Sequence, residues 1–265
     1  MKKLDYILIY LCFFPSYIWY IKRITMGGED AFSALLIPII IGVIHFRNAQ
    51  SKSPLPTVNS FTLTGIACYI LLWIIDTPAL IKASVAITVL LHHHKLLKNF
   101  GISALAFLSL PWLSSFQYFF GSPLQKFIAK AGALTINSTG LPVTAIGTGI
   151  SFQDQVVYVD PPCSGIKMLW SILILTASIS VLYKLSWKQG IALSSLSVLF
   201  AIIGNILRAS ILFFPESNLV TWPAWTHQAI GCISYIGICL LLITSVHLFT
   251  RNHGKKISTR YIYGH

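Results

Sequence analysis

A cysteine, an arginine and a histidine carry the reactive chemistry of this chain: Cys163 in "VDPPCSGIKMLW", Arg208 in "GNILRASILFF" and His227 in "TWPAWTHQAIG". Cys163 follows two prolines and opens a long apolar run, so it stands where a helix begins. Unpaired N–H groups and the positive end of the helix dipole favour the thiolate there. A histidine within reach can take or return its proton. An arginine supplies fixed positive charge where an acyl oxyanion develops, or clamps a substrate carboxylate. The three types together describe cysteine acyl transfer. Ser164 and Gly165 adjoin the thiol, and Gly165 and Gly231, the latter one turn after His227, would leave room for a peptide. Asn205, one turn before Arg208 on the same helix face, would orient the guanidinium or the substrate. Lys167, one turn after Cys163, either favours the thiolate or snorkels to the interface. Asp160 is a candidate orienting carboxylate for His227, and Asp154 is nearly as well placed.

Each of the three has a plainer reading alone. Arg208 could snorkel from an apolar segment. His227, near Trp222 and Trp225, could belong to an aromatic belt, and Cys163 could be inert. Cys12, Cys68, Cys232 and Cys239 lie within apolar segments, where a thiol acts as a small hydrophobe. The readings part on whether the three residues meet, and that depends on the elements carrying them.

Those elements belong to a membrane. The chain has 265 residues, 55% hydrophobic and only 10% charged, against roughly 25% charged in soluble domains. Apolar runs fall near 4–21, 31–46, 61–75, 77–92, 101–120, 164–183, 190–214 and 228–249. Lipid-exposed backbone must satisfy its own hydrogen bonds, so such runs are helices unless they close a barrel. The expected fold is an all-α polytopic membrane protein of about eight transmembrane helices. The runs at 61–75 and 77–92 are parted only by Asp76–Thr77–Pro78, which also fits one re-entrant element. The basic start resembles a signal peptide but lacks a small-residue cleavage site, so it reads as an uncleaved first span.

Orientation follows from the basic residues. With the N-terminus inside, the cytoplasmic stretches hold Lys2, Lys3, Arg47, Lys52, Lys95, Lys98, Lys184, Lys188, Arg251, Lys255, Lys256 and Arg260. The outer stretches hold Lys22, Arg23, Lys126 and Lys130. That bias fits the positive-inside rule, and it argues against nucleic acid as the reason for a net charge of +12. By the same parity the start of the sixth run (Cys163), the end of the seventh (Arg208) and the start of the eighth (His227) share the extracytoplasmic face.

That face also carries the one long loop. "SPLQKFIAKAGALTI" sets Leu124, Phe127, Ile128, Ala131 and Leu134 at helical spacing, with Lys126 and Lys130 off that face, so it reads as an amphipathic helix lying on the membrane. "VTAIGTGISF" and "QVVYVD" read as two short strands, a β-like hairpin before the sixth span. The chain is taken as one integral membrane domain, with N-terminal spans over 1–100, a catalytic core over 101–250 and a cytoplasmic basic tail over 251–265.

"PPCSGIKMLW", "GNILRASILFF" and "THQAIG", in this order on the last three runs, resemble the exosortase/archaeosortase family. "LPWLSSFQYFFGSPLQKFIAKAGALTINSTGLPV" is similar to the segment that precedes that family's cysteine. The resemblance implies a membrane-embedded cysteine protease or transpeptidase acting through a thioester acyl-enzyme. Cys163 would be the nucleophile, Arg208 the essential arginine of an Asn-x-x-Arg pattern and His227 the general acid/base. Its partner would be an exported protein bearing a C-terminal sorting signal, made of a short motif, a transmembrane helix and a basic tail, passed to a cell-surface acceptor. It implies the inner (plasma) membrane and no cofactor or metal. The Pro-Pro before Cys163, where many members have a small residue, leaves the subfamily and its motif open. A transporter or channel with Arg208 and His227 lining a solute path, and a scaffold docking partner helices, are the rival readings. No internal symmetry favours the transporter. His92–His94 points in several directions from one helix, with no carboxylate or cysteine near, which argues against a metal site.

Overall fold

A computed structural model describes residues 8–26, 58–153, 155–159, 164–223 and 225–262, with side chains to 247. The run at 31–46 lies outside the described residues, as do Asp154, Asp160, Pro161, Pro162 and Cys163. Helices dominate: α1 (Phe14–Thr25), α2 (Ser60–Ile74), α3 (Ala79–His93), α4 (Phe100–Leu108), α5 (Leu113–Asn137), α6 (Ile166–Leu182), α7 (Trp187–Glu216) and α8 (Thr226–Ile262). Between α5 and α6 lie the strands β1 (Thr144–Ile146), β2 (Gly149–Phe152) and β3 (Gln155–Tyr158).

Among the described residues, α7 and the Thr226–His247 part of α8 are long and apolar enough to cross a membrane; a third candidate is the α4–α5 pair, bent by 84°. The helices α2, α3 and α6 are apolar but shorter, at 15, 15 and 17 residues. Fifteen residues rise about 22 Å, against a hydrocarbon core of about 30 Å. The eight spans expected from hydropathy are therefore not all present as full-length helices. The expected fifth span, 101–120, breaks at 109–112, because Pro111 restricts the residue before it and cannot continue the hydrogen-bond ladder. Its second half instead runs without interruption into the amphipathic segment as α5, through Pro123. At 61–92 two separate helices form, joined by a turn in which Asp76 takes φ +52°. Beside that turn Lys82 is buried, its ammonium 3.6 Å from Asp76 and 3.8 Å from the Trp73 ring centre.

The chain divides into two compact units, Met1–Phe116 with Ala177–Gly190, and Gln117–Thr176 with Ile191–His265. In the first, Phe13 and Tyr69 meet edge to face at 4.9 Å within a cluster that includes Ile9, Ala86 and Val89. A second cluster joins Leu91, Leu96, Ile102 and Ala106.

In the second unit a three-stranded antiparallel sheet, β1-β2-β3, replaces the expected hairpin. Gly147 at φ +60° turns the chain inside what reads as one strand, pairing Ala145 with Ile150. Two-residue loops of this kind favour residues at positive φ. Ile150, on the central strand, is buried in a core with Ile128, Ala129, Ala133, Ile136 and Phe213. The amphipathic helix thus has two apolar sides. Ile128 faces the protein, while Phe127 and Leu134 are 52% and 66% exposed and face away from it.

Helix α5 holds the sheet at both of its ends. The Asn137 amide brackets Val143, donating to its carbonyl at 3.0 Å and accepting from its N–H at 2.8 Å. Three turns earlier Gln125 donates to the Val159 carbonyl at 2.8 Å, where the chain leaves the sheet. Helices α6 and α7 meet through a buried Thr176–Ser197 hydroxyl pair at 2.7 Å. Small and hydroxyl residues of this kind let membrane helices approach closely.

Candidate functional site

The site is built in the second unit, where the first turns of α6, the C-terminal half of α7 and the start of α8 come together. Its approach is fixed before α6 begins. The Val159 N–H donates to Thr148 at 2.9 Å and its carbonyl accepts from Gln125, so the residue just before Asp160 is held on both sides. Past the undescribed residues, Ser164 is 1% exposed and Gly165 bends the chain at φ +83° into α6. Cys163 is the sequence neighbour of this buried Ser164, and Asp160 follows the pinned Val159.

Gly165 is explained by Asn205. A Cβ at Gly165 would stand 2.7 Å from the Asn205 Nδ2 and 2.9 Å from its Cγ. The space expected to admit a peptide is therefore filled by the Asn205 side chain, itself 2% exposed. A cavity of about 10 Å³ remains beside Ser164, Gly165 and Asn205, closed by Leu124 and Ile128 of α5. That is roughly one water's worth of room.

Gly231 is explained by Arg208. A Cβ there would lie 3.5 Å from both Cζ and a terminal nitrogen of the guanidinium, so the arginine rests on the bare backbone of α8. His227 is one turn before Gly231. Arg208 Nε and Ser164 Oγ are buried with no hydrogen-bond partner among the described residues. Lys167 is exposed on the first turn of α6.

Reading the sequence missed one residue. His227 Nε2 lies 3.5 Å from the Glu216 carboxylate, with the two side chains 42% and 36% exposed. Glu216 is the last residue of α7, eight residues beyond Arg208. The signal was present: it is one of seven acidic residues in the chain, and i, i+4, i+8 spacing puts it on the face of Arg208. Among the described residues no group of three metal-ligating side chains occurs. Cys12, Cys68 and Cys232 are exposed on apolar helices and Cys239 is half-buried, all as free thiols.

The arrangement brings Arg208 to the helix that carries His227 and Asn205 to the backbone of Gly165, and it leaves two buried donors without a partner among the described residues. No curated protein sequence and no solved structure matches the chain. A family model described as transmembrane exosortase (Exosortase_EpsH) matches residues 3–244, so that the chain, a mostly helical membrane protein, belongs to the exosortase family.

Proposed function

We propose that the protein is a cysteine endopeptidase and transpeptidase that cleaves the C-terminal sorting signal of exported proteins through a thioester on Cys163. The observation that carries this reading is the pair of buried donors, Arg208 Nε and Ser164 Oγ, for which no partner occurs among the described residues, Ser164 being the sequence neighbour of Cys163. A buried polar group left without a partner costs about 1–3 kcal/mol. Such groups are few in folded proteins, and each calls for a physical explanation. A scissile carbonyl or an acidic motif residue would complete the Arg208 donor.

The chemistry then runs in two halves. The Cys163 thiolate attacks the scissile carbonyl carbon, and the oxygen takes negative charge that Arg208 stabilises. The intermediate collapses as the C–N bond breaks. His227 gives the departing amine its proton, leaving an acyl thioester on Cys163. An acceptor amine or hydroxyl, or water, then loses a proton to His227 and attacks the thioester, which releases the Cys163 thiolate. Glu216 would hold the His227 ring in place through both halves, and Asn205 would fix the backbone that delivers the thiol.

The site would open on the extracytoplasmic side of the inner (plasma) membrane, as the parity of the hydropathic runs supports. A substrate tethered by its own transmembrane helix is presented at that level at high effective concentration. The test is to trap the intermediate. A purified substrate tail incubated with the enzyme should yield a Cys163 thioester by mass spectrometry, lost on hydroxylamine treatment and absent in Cys163→Ala. Processing that persists in Cys163→Ala would refute the reading.

A further inference from the structure

The first unit contains a cavity of about 470 Å³, walled by α1 and the turn before it, by α3, and by α4 and the break that follows it. Ala83, Ala86, Leu90 and Ala106 make its apolar walls. Of the four polar side chains that line it from α1 and the preceding turn, three are occupied. The Tyr10 hydroxyl pairs with His94 Nε2 at 2.7 Å, the Ser16 hydroxyl with that of Tyr69 at 2.8 Å, and the Tyr20 hydroxyl donates to the Ser109 carbonyl at 2.6 Å. Tyr17 also lines the cavity, and its hydroxyl is buried with no partner among the described residues. The wall from Tyr10 to Tyr20 runs ten residues, about 15 Å at helical rise.

A void of this size is destabilising when empty, and walls so apolar do not hold ordered water. The volume is that of a small-molecule site, mostly apolar with a few placed polar groups. Tyr10, 40% exposed, marks a side open to the surroundings. For a membrane protein those surroundings supply one apolar solute in excess.

We propose that this cavity binds the hydrocarbon chain of a membrane lipid, with an ester or phosphate oxygen of that lipid accepting the Tyr17 hydroxyl. The occupant is elongated, apolar along α3 and α4, and carries one hydrogen-bond acceptor. Two lipid chemistries share this description, the acyl chain of a phospholipid and the chain of a polyisoprenyl phosphate. The lining residues include none of Cys163, Arg208 and His227, and the proposal holds whether or not those residues cleave a peptide.

The test uses the full-length protein in phosphatidylglycerol nanodiscs containing a trace of phosphatidylglycerol with a diazirine near the end of one acyl chain. After irradiation and digestion, adducts should concentrate on Ala86, Leu90 or Ala106, well above those on Leu240 and Ile243, which are exposed on α8 at 59% and 52%. Ala83→Leu, which fills the cavity, should remove the excess. Tyr17→Phe keeps the ring and should weaken retention about fivefold, the effect of one neutral hydrogen bond; it decides the matter should Ala83→Leu fail to fold. Loss of cavity labelling on adding a polyisoprenyl phosphate to the nanodisc supports the site and assigns it to that chain, and labelling that persists assigns it to the phospholipid acyl chain. Cavity labelling no stronger than that of α8, or unchanged in both variants, overturns the proposal. Cys163→Ala should label like the parent protein.

Discussion

Asn205 occupies the space that a side chain on Gly165 would need: a Cβ at Gly165 would stand 2.7 Å from its amide nitrogen. Two glycines flank α7 in this way, and they differ in tolerance. Gly165 sits at φ +83°, where a side chain is strained whatever the space, while a Cβ at Gly231 meets Arg208 only at ordinary contact distance, 3.5 Å. Gly165→Ala should therefore destabilise the protein by about 1–3 kcal/mol and abolish processing, whereas Gly231→Ala should leave stability nearly unchanged. Adding Asn205→Ala to Gly165→Ala relieves the clash but not the strained backbone, so recovery should be partial. Thermal unfolding in detergent, read beside substrate cleavage, checks the pair.

Arg208 should resist conservative replacement. A lysine offers a point charge in place of a planar fork and would not span the same seat against Gly231. Both Arg208→Ala and Arg208→Lys are expected to insert and fold yet fail to accumulate the thioester, which mass spectrometry of the trapped enzyme reads directly.

The Glu216–His227 pair separates acid/base work from orientation. His227→Ala should lose about 10²–10⁴-fold in rate. Glu216→Gln keeps the size and removes the charge opposite Nε2. It should lose less, on the order of tenfold, as for one hydrogen bond to a charged group. In the double variant the loss should match His227→Ala alone, because a positioning residue has nothing left to position. Additive losses in single-turnover assays would remove Glu216 from this role.

Cleavage should require the substrate's own transmembrane helix. A motif offered as a free peptide lacks the effective concentration that membrane tethering gives. Liposome-reconstituted enzyme should process the helix-tethered form far faster than the peptide, and equal rates would show that membrane presentation does not select the target.

Stability should fall on the acid side through His94, which follows the last residue of α3 and whose Nε2 pairs with the Tyr10 hydroxyl at 2.7 Å. Burial, then the neighbouring His93, lowers its pKa below the ordinary 6.5. The unfolded chain takes up that proton first as pH falls. Stability is thus complete above pH 6.5 and declines as pH drops toward and through the lower folded value. Unfolding temperature in detergent should decrease from pH 7 to pH 5, and decrease less in His94→Gln.

Much of this protein is written locally and can be read without a fold. Apolar composition, hydropathic runs and the bias of Lys and Arg identify a polytopic membrane chain, since water and lipid sort residues by transfer energy alone. The order of "PPCSGIKMLW", "GNILRASILFF" and "THQAIG" was enough for the family. Helical period put Asn205 and Arg208 on one face, because the backbone repeats whatever surrounds it. Other features depend on contacts between distant segments, which no local pattern encodes. Gly165 and Gly231 look like openings for a peptide, yet each is met by a side chain of α7, 40 residues away in one case and 23 in the other. Ile128 and Phe127 share an apolar stretch of α5, and only the sheet packed on one side decides which is buried. Glu216 finds His227 across the turn between two helices, a distance in space that their spacing in sequence leaves undetermined.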